Sequence, residues 1–171
     1  MKGNMVLSSE YVDVFERSLD MLDSSIHELR RVAHNLMPEA LVKFGLAAAL
    51  KDFCDFINNS KVINVIFQQI GNYKRLDMSV EVVLYRVANE LVNNTLRHAS
   101  ATELIIQLNY DDHLLTLTVE DNGRGFDQSI LERTTGSGWP NIRSRIAYLK
   151  GSLDVQSSAG NGTSVNITIP V

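Results

Sequence analysis

Over the first forty residues, apolar positions recur with a 4-3-4-3-4-3 spacing at Phe15, Leu19, Leu22, Ile26, Leu29, Ala33 and Leu36. That is a heptad seam held for three repeats, and it predicts one long helix with an apolar edge. Glu16, Asp20, Asp23, Glu28 and Arg30 occupy its other faces. Such a helix does not bury its own seam. It needs a partner helix, from a second protomer or from further chain; the plainer alternative is a helix packed on its own domain. Pro38 ends it, because proline removes a helix donor and disfavours helix in the residue before it.

Beyond Pro38 the periodicity changes several times. Leu46, Leu50, Phe53, Phe56 and Ile57 predict a second, shorter helix. The run KVINVIFQQI, residues 61–70, is rich in Val and Ile and predicts a strand. A strong helix is expected from Met78 to about His98, with Val80, Leu84, Val87 and Leu91 as its buried stripe. Two alternating runs follow, Leu104, Ile106, Leu108 and Tyr110, then Leu115, Leu117 and Val119, joined as a hairpin through Asp111, Asp112 and His113. Residues 121–138 are rich in Gly, Thr and Ser and predict a long functional loop. Pro140 to Lys150 reads as a helix with Ile142, Ile146 and Leu149 inward and Gly151 after its end. SLDVQS and TSVNITIP are two final strands around the turn AGNG. Late hairpins with few helices predict a two-layer α/β sandwich, a mixed and mainly antiparallel sheet with helices on one face.

Composition narrows the chemistry. The 171 residues carry 16 basic and 20 acidic side chains, a net charge of -4. Nucleic-acid binders held by a phosphate-seeking field are usually strongly basic, so no nucleic-acid partner is expected. A single cysteine, Cys54, excludes an intramolecular disulfide framework and a zinc knuckle, and suits a reducing cytoplasm. It sits among apolar residues as a small core filler. The chain has no apolar run approaching 18 residues and no secretory h-region, so no membrane segment is expected within it.

Neither a P-loop nor a complete G-x-G-x-x-G is present, yet three polar clusters call for explanation. In NELVNNTLRHA, Glu90, Asn94 and Arg97 with His98 fall at i, i+4 and i+7/8 and share one helix face. Hard oxygen donors there suit Mg²⁺ completed by substrate phosphates, and Arg97 could meet a phosphate; taken alone, the face reads at least as well as a solvated polar surface. DNGRGF places Asp121 at a strand end, where its carboxylate can accept from an amino group such as an adenine edge. Gly123 and Gly125 allow close backbone approach; a plain Asn-Gly turn is the alternative. In TTGSGWPNIRSR, Gly136 and Gly138 form a loop entering a helix whose N-terminus is a ready anion site, with Arg143 and Arg145 a turn later. Thr163, beside Gly162 at the start of the last strand, could touch the same ligand, though alone it is an ordinary strand-entry threonine.

The order of these pieces resembles the N box and glycine boxes of sensor histidine kinases, and more broadly the GHKL ATPases. GSGWPNIRSRIAYLKGSLDVQS resembles the NarL-partner type, and HNLMPEALVKFGLAAAL resembles the end of that family's dimerisation helices. The resemblance spans roughly residues 25–171 and implies a Bergerat-type sandwich. It divides the chain into part of the second dimerisation helix, 1–40, and an ATP-binding catalytic domain, 41–171. It implies Glu90 as base or positioner, Asn94 as Mg²⁺ ligand, and Arg97 and His98 near the phosphates. It implies Asp121 as reader of the adenine amino group with Gly123 and Gly125 supporting it, Gly136 and Gly138 as lid glycines, and Thr163 near the adenine. ATP and Mg are the implied cofactors; a response regulator and a second copy, met through the N-terminal helix, are the implied partners.

Two departures stand out. Trp139 occupies a position where the family usually has Leu, and a large ring there alters lid packing. The family's acceptor histidine sits in the first dimerisation helix and is followed by an acidic residue. His27 is followed by Glu28 but lies on what resembles the second helix, and His34 is followed by Asn35. The expectation is therefore a kinase piece without its acceptor helix, which binds ATP without phosphorylating itself. Two alternatives remain: a stand-alone GHKL serine kinase, and a non-enzymatic dimerisation module with structural glycine loops.

Overall fold

A computed structural model describes residues 38–129, 131 and 138–171, together with Phe15, 17–19, 21 and 22. The described residues near the N-terminus are helical, and Phe15, Leu19 and Leu22 of the heptad seam are exposed. The rest of that seam, Ile26, Leu29, Ala33 and Leu36, lies outside the described residues.

From Pro38 onward the described residues pack as one compact unit. Pro38 is extended (φ -67, ψ 144), and a short helix α1, Glu39–Phe44, starts immediately after it. Gly45, at φ +89, turns the chain into α2, Leu46–Asn58. That turn is backed closely: a Cβ on Gly45 would lie 2.0 Å from the Tyr73 hydroxyl oxygen. Arg75 crosses the same turn, donating to the carbonyls of Leu41 (2.9 Å) and Val42 (3.0 Å). Its Nε sits 3.2 Å from the carboxylate of fully buried Glu81.

Strand β1, Asn64–Ile70, begins three residues later than the Val/Ile run suggested. Lys61 adopts a left-handed turn conformation (φ 55), and the Asn58 side chain then ties the strand to α2 through both backbone groups of Val65, at 2.8 and 2.7 Å. Helix α3, Met78–Asn94, continues as a π-helical turn, Thr95–Ala99, and stops at left-handed Ser100 (φ 51). The hairpin β2, Glu103–Tyr110, and β3, Leu114–Asp121, forms as expected. Helix α4, Gly138–Tyr148, starts two residues before Pro140 and stops short of Lys150. Its left-handed terminator is Lys150 (φ 54) rather than Gly151. Gly151 is needed for room instead, since a Cβ there would lie 2.7 Å from the Thr168 carbonyl oxygen. Strands β4, Ser152–Ser157, and β5, Thr163–Pro170, complete the fold.

The five strands order as β1-β2-β3-β5-β4, with β1 parallel to β2 and every other pairing antiparallel. Alternation sends Leu104, Ile106, Leu108, Leu115, Leu117, Val119, Val165, Ile167 and Ile169 to one face, all buried. Leu84, Val87 and Leu91 of α3, Leu50 and Phe53 of α2, and Ile142 and Ile146 of α4 cover them. The opposite face is largely polar, with Gln107 bonded to Gln68 (3.0 Å) and Thr118 to Asn166 (2.8 Å). A sheet apolar on one face and polar on the other takes helices on the apolar side only. This is the two-layer mixed sandwich that the sequence predicts.

Candidate nucleotide-binding site

The C-terminal end of α3, the end of β3, the start of β5 and the start of α4 converge on a cavity of about 350 Å³. Its apolar lining comes from core positions, Leu91, Val119 and Val165, which the sheet and helix alternation already turns inward. Ala99, Phe126, Leu131 and Trp139 close it further. The polar groups are few: Asn94, Thr95, His98, Asp121, Arg124 and Thr163. A mostly apolar pocket with a handful of directed polar groups is the usual form of a small-molecule site.

Asp121 and Thr163 are brought together by register, being paired across β3 and β5. Asp121 is buried, and each of its oxygens is held. The backbone N–H of Gly123 donates to Oδ1 (2.9 Å) and the Thr95 hydroxyl donates to Oδ2 (3.1 Å). Thr163 shares a hydroxyl contact with Ser157 (3.0 Å), and Ser157 in turn accepts the N–H of Phe126 (2.9 Å). The loop after Asp121 is therefore stitched to the turn between β4 and β5.

Close approach explains the glycines. A Cβ on Gly123 would lie 2.4 Å from the Ala99 carbonyl oxygen, and one on Gly125 (φ +59) would lie 2.1 Å from the Ser158 carbonyl oxygen. Gly162 (φ +69), which the sequence marks only as a neighbour of Thr163, is as constrained: its Cβ would lie 2.0 Å from the Asp121 carbonyl oxygen. Asn122 is a frame residue, its side chain accepting the N–H groups of Thr102 (2.9 Å) and Glu103 (3.0 Å).

The α3 cluster is split by the π-helical turn. Asn94, half-buried, and His98, exposed, both line the cavity. Arg97 is exposed on the same turn and is not among the lining residues. Glu90 is half-buried just outside the lining, and its Oε1 lies 3.2 Å from where a Cβ on Gly138 would stand. Glu90 thus abuts the start of α4. Gly136 lies outside the described residues. Trp139 is half-buried, with its ring 6.2 Å from that of Phe126 and inclined at 53°. Arg143 and Arg145, exposed and half-buried respectively, are not among the lining residues.

A family profile described as "Histidine kinase-, DNA gyrase B-, and HSP90-like ATPase" matches residues 79–171, more than half of the chain. The chain belongs to this ATPase family. The matched segment holds every residue of the cavity. Among proteins it resembles, the signal transduction histidine-protein kinase/phosphatase DegS of Brevibacillus brevis is 31% identical over 185 aligned positions, covering all of this chain and 47% of that protein. The sensor histidine kinase MctS of Rhizobium johnstonii is 34% identical over 157 positions, covering 91% of this chain and 34% of that protein. The chain thus spans less than half the length of these curated relatives. The blue-light activated histidine kinase of Erythrobacter litoralis superposes with a TM-score of 0.65 at 28% identity, over 86% of this chain and 49% of that one. A structure of its histidine kinase domain gives 0.60 at 25% identity, over 73% of this chain and 60% of that one. The fold and family are those of the ATP-binding catalytic domain of sensor histidine kinases, as the sequence boxes imply. No helix among the described residues is long and apolar enough to cross a membrane.

Proposed function

We propose that this chain binds Mg-ATP in the cavity between α3 and α4 and supplies the catalytic half of a phosphoryl transfer to histidine. In the protein that carries it, residues 1–40 contribute to a dimerisation helix, and a response-regulator aspartate receives the phosphoryl group from the histidine. The observation that carries this reading is the buried Asp121 carboxylate, held by donors on both oxygens in a largely apolar cavity. Such a group is an acceptor awaiting a donor, and the adenine amino group is one of matching size.

The remaining roles follow from position. Thr163, paired with Asp121, offers a hydroxyl at the same end of the cavity. Asn94, at the end of α3, and His98, on the π-helical turn, line the side of the cavity where the phosphates would run. No cluster of three or more His, Cys, Asp or Glu side chains fit for a metal occurs among the described residues. That suits Mg²⁺, which keeps its waters and takes most of its ligands from phosphate oxygens. The Asn94 side-chain oxygen would be the protein's contribution, and the ion when bound would neutralise charge on the transferring phosphoryl group. In this reading Glu90, beside the start of α4, accepts a proton or orients an incoming imidazole. The family resemblance gives Gly136 and Gly138 the part of lid glycines, and Gly138 lines the cavity at the start of α4. The family's chemistry is electrostatic positioning rather than covalent catalysis, so few groups are needed.

The test is thermal unfolding with Mg-ATP. A ligand at about a hundred times its Kd stabilises the native state by roughly 2.7 kcal/mol. In a chain of this size that raises Tm by roughly 5–10 °C. Asn94→Ala and Asp121→Ala should lose the shift. A wild-type chain that shows none, or variants that keep it, would overturn the assignment. Labelled ATP should leave the chain unlabelled; acid-labile label on His27 or His34 would place the acceptor within it.

A further inference from the structure

We infer that Thr95 is a specificity-determining positioning residue, which orients the Asp121 carboxylate so that the cavity accepts an amino edge of a purine and rejects a carbonyl edge. The inference rests on the nucleotide reading above and goes one step further into it. The family boxes assign Asp121; they assign nothing to Thr95.

The geometry is specific. Thr95 is buried, lines the cavity and begins the π-helical turn that ends α3. A threonine inside a regular helix commonly returns its hydroxyl to a carbonyl one turn back. Here the hydroxyl leaves its own helix and donates to Asp121 Oδ2, 26 residues away in sequence. Thr95 is β-branched, with few side-chain rotamers open to it, so the donor does not wander. An aspartate terminal torsion, by contrast, is soft and broad. With Gly123 N–H on one oxygen and Thr95 on the other, that torsion is fixed.

A carboxylate held this way shows acceptor lone pairs to the cavity. The 6-amino group of adenine donates to them. Hypoxanthine carries a carbonyl at the same position and would set oxygen against oxygen. A free carboxylate could swing away from that conflict, whereas one fixed by Thr95 cannot. The backbone frame does not depend on the hydroxyl. The N–H of Arg124 donates to the Ala99 carbonyl (2.8 Å) and Gly123 packs directly on Ala99, so helix end and loop stay joined when the hydroxyl is removed.

The experiment is calorimetric binding of Mg-ATP and Mg-ITP to wild type, Thr95→Val and Thr95→Ser. Wild type should prefer ATP. Thr95→Val, of nearly the same shape but without the donor, should lose roughly tenfold in ATP affinity, the scale of one hydrogen bond to a charged group, while ITP affinity changes little. The ATP-to-ITP ratio therefore collapses. Thr95→Ser restores the hydroxyl and should keep the wild-type ratio; Thr95→Ala makes the same comparison should valine disturb folding. A Thr95→Val or Thr95→Ala chain that keeps the wild-type ratio overturns the inference while leaving the nucleotide site intact, even where both affinities drop. A wild-type chain that binds neither nucleotide sinks the site reading and this inference with it.

Discussion

Replacing Gly123 with alanine isolates the contact on which the site geometry turns. Gly123 needs no left-handed backbone, so its substitution is a matter of space alone. The new methyl would stand 2.4 Å from the Ala99 carbonyl oxygen and 2.7 Å from the Ala99 Cβ. Ordinary carbon–oxygen contacts lie at about 3.3–3.6 Å, so helix end and loop must part by about 1 Å. The Arg124 N–H bond to that same carbonyl, 2.8 Å in the native structure, would then stretch beyond hydrogen-bonding range. Losing it costs about 1 kcal/mol and the overpacking another 1–3 kcal/mol. A total of about 2–4 kcal/mol lowers Tm by roughly 4–16 °C. Gly160 is the internal control. It sits at φ +84 with nothing within 4 Å of a new Cβ, so Gly160→Ala should cost only the left-handed penalty, about 1 kcal/mol. Urea unfolding of the two variants, with Mg-ATP titrations alongside, reads both effects. Were Gly123→Ala no worse than Gly160→Ala, the packing of the loop on the π-helical turn would not be what holds Asp121 in place.

Trp139 is the sole tryptophan and lines the cavity, so its emission should change saturably with Mg-ATP; an unchanged spectrum at nucleotide levels that raise Tm would remove it from the site. Burial pushes the Cys54 thiol up to about 12 and the Tyr85 phenol up to about 12, and raises Tyr110 as well. These groups are neutral when protonated, and the native state holds their protons more tightly than the unfolded chain does. Their stabilisation is complete below pH 9 and is lost as pH climbs toward 12, at about 1.4 kcal/mol per pH unit for each group in its range. Equal urea midpoints at pH 8 and 10.5 would contradict this. Arg75→Ala strips the partner from fully buried Glu81 and frees the carbonyls of Leu41 and Val42. The loss should be about 3 kcal/mol, the low end for a buried pair because water reaches the guanidinium. Arg75→Lys should recover little of it, since one ammonium cannot bridge those three groups; a loss within 0.5 kcal/mol would show the pair to be dispensable.

The fold was legible wherever burial is one-sided. Alternation in 103–110 and 114–121 names the core face residue by residue, because a one-residue slip would turn every side chain to the wrong side. The stripe of α3 was legible for the same reason. Boundaries were less so, because they are decided by contacts from distant chain. KVINVIFQQI has strand propensity throughout, yet only Asn58, reaching across from α2, settles that pairing starts at Asn64. Gly151 carries the usual mark of a helix terminator, but the left-handed residue is Lys150, and Gly151 is required by the crowding of Ile169 and Thr168. The parallel pairing of β1 with β2 has no local signature either, since it depends on α3 crossing between them.

The site was legible as types and order, and much less as contacts. Asp121, Gly123 and Gly125 stand in one short motif, and the loop after β3 holds them close together. Thr95 has no such mark. TLRHA has ordinary helical propensity, and nothing in it announces a π-helical turn. The wider turn is set by what the helix end must meet, the Ala99 carbonyl facing Arg124 N–H and the bare face of Gly123. Arg97 illustrates the same step from the other side. Regular helical spacing would keep it with Asn94 and His98, but the turn that aims the Thr95 hydroxyl at Asp121 leaves Arg97 in solvent outside the cavity lining. π-helical turns are rare and concentrate at functional sites because they trade regular hydrogen bonding for placement of a few side chains. In this chain the placement secured is that of a donor on a carboxylate. Loop, glycine and hydroxyl therefore form one device, and a change in any of them should be felt first at the Asp121 end of the cavity.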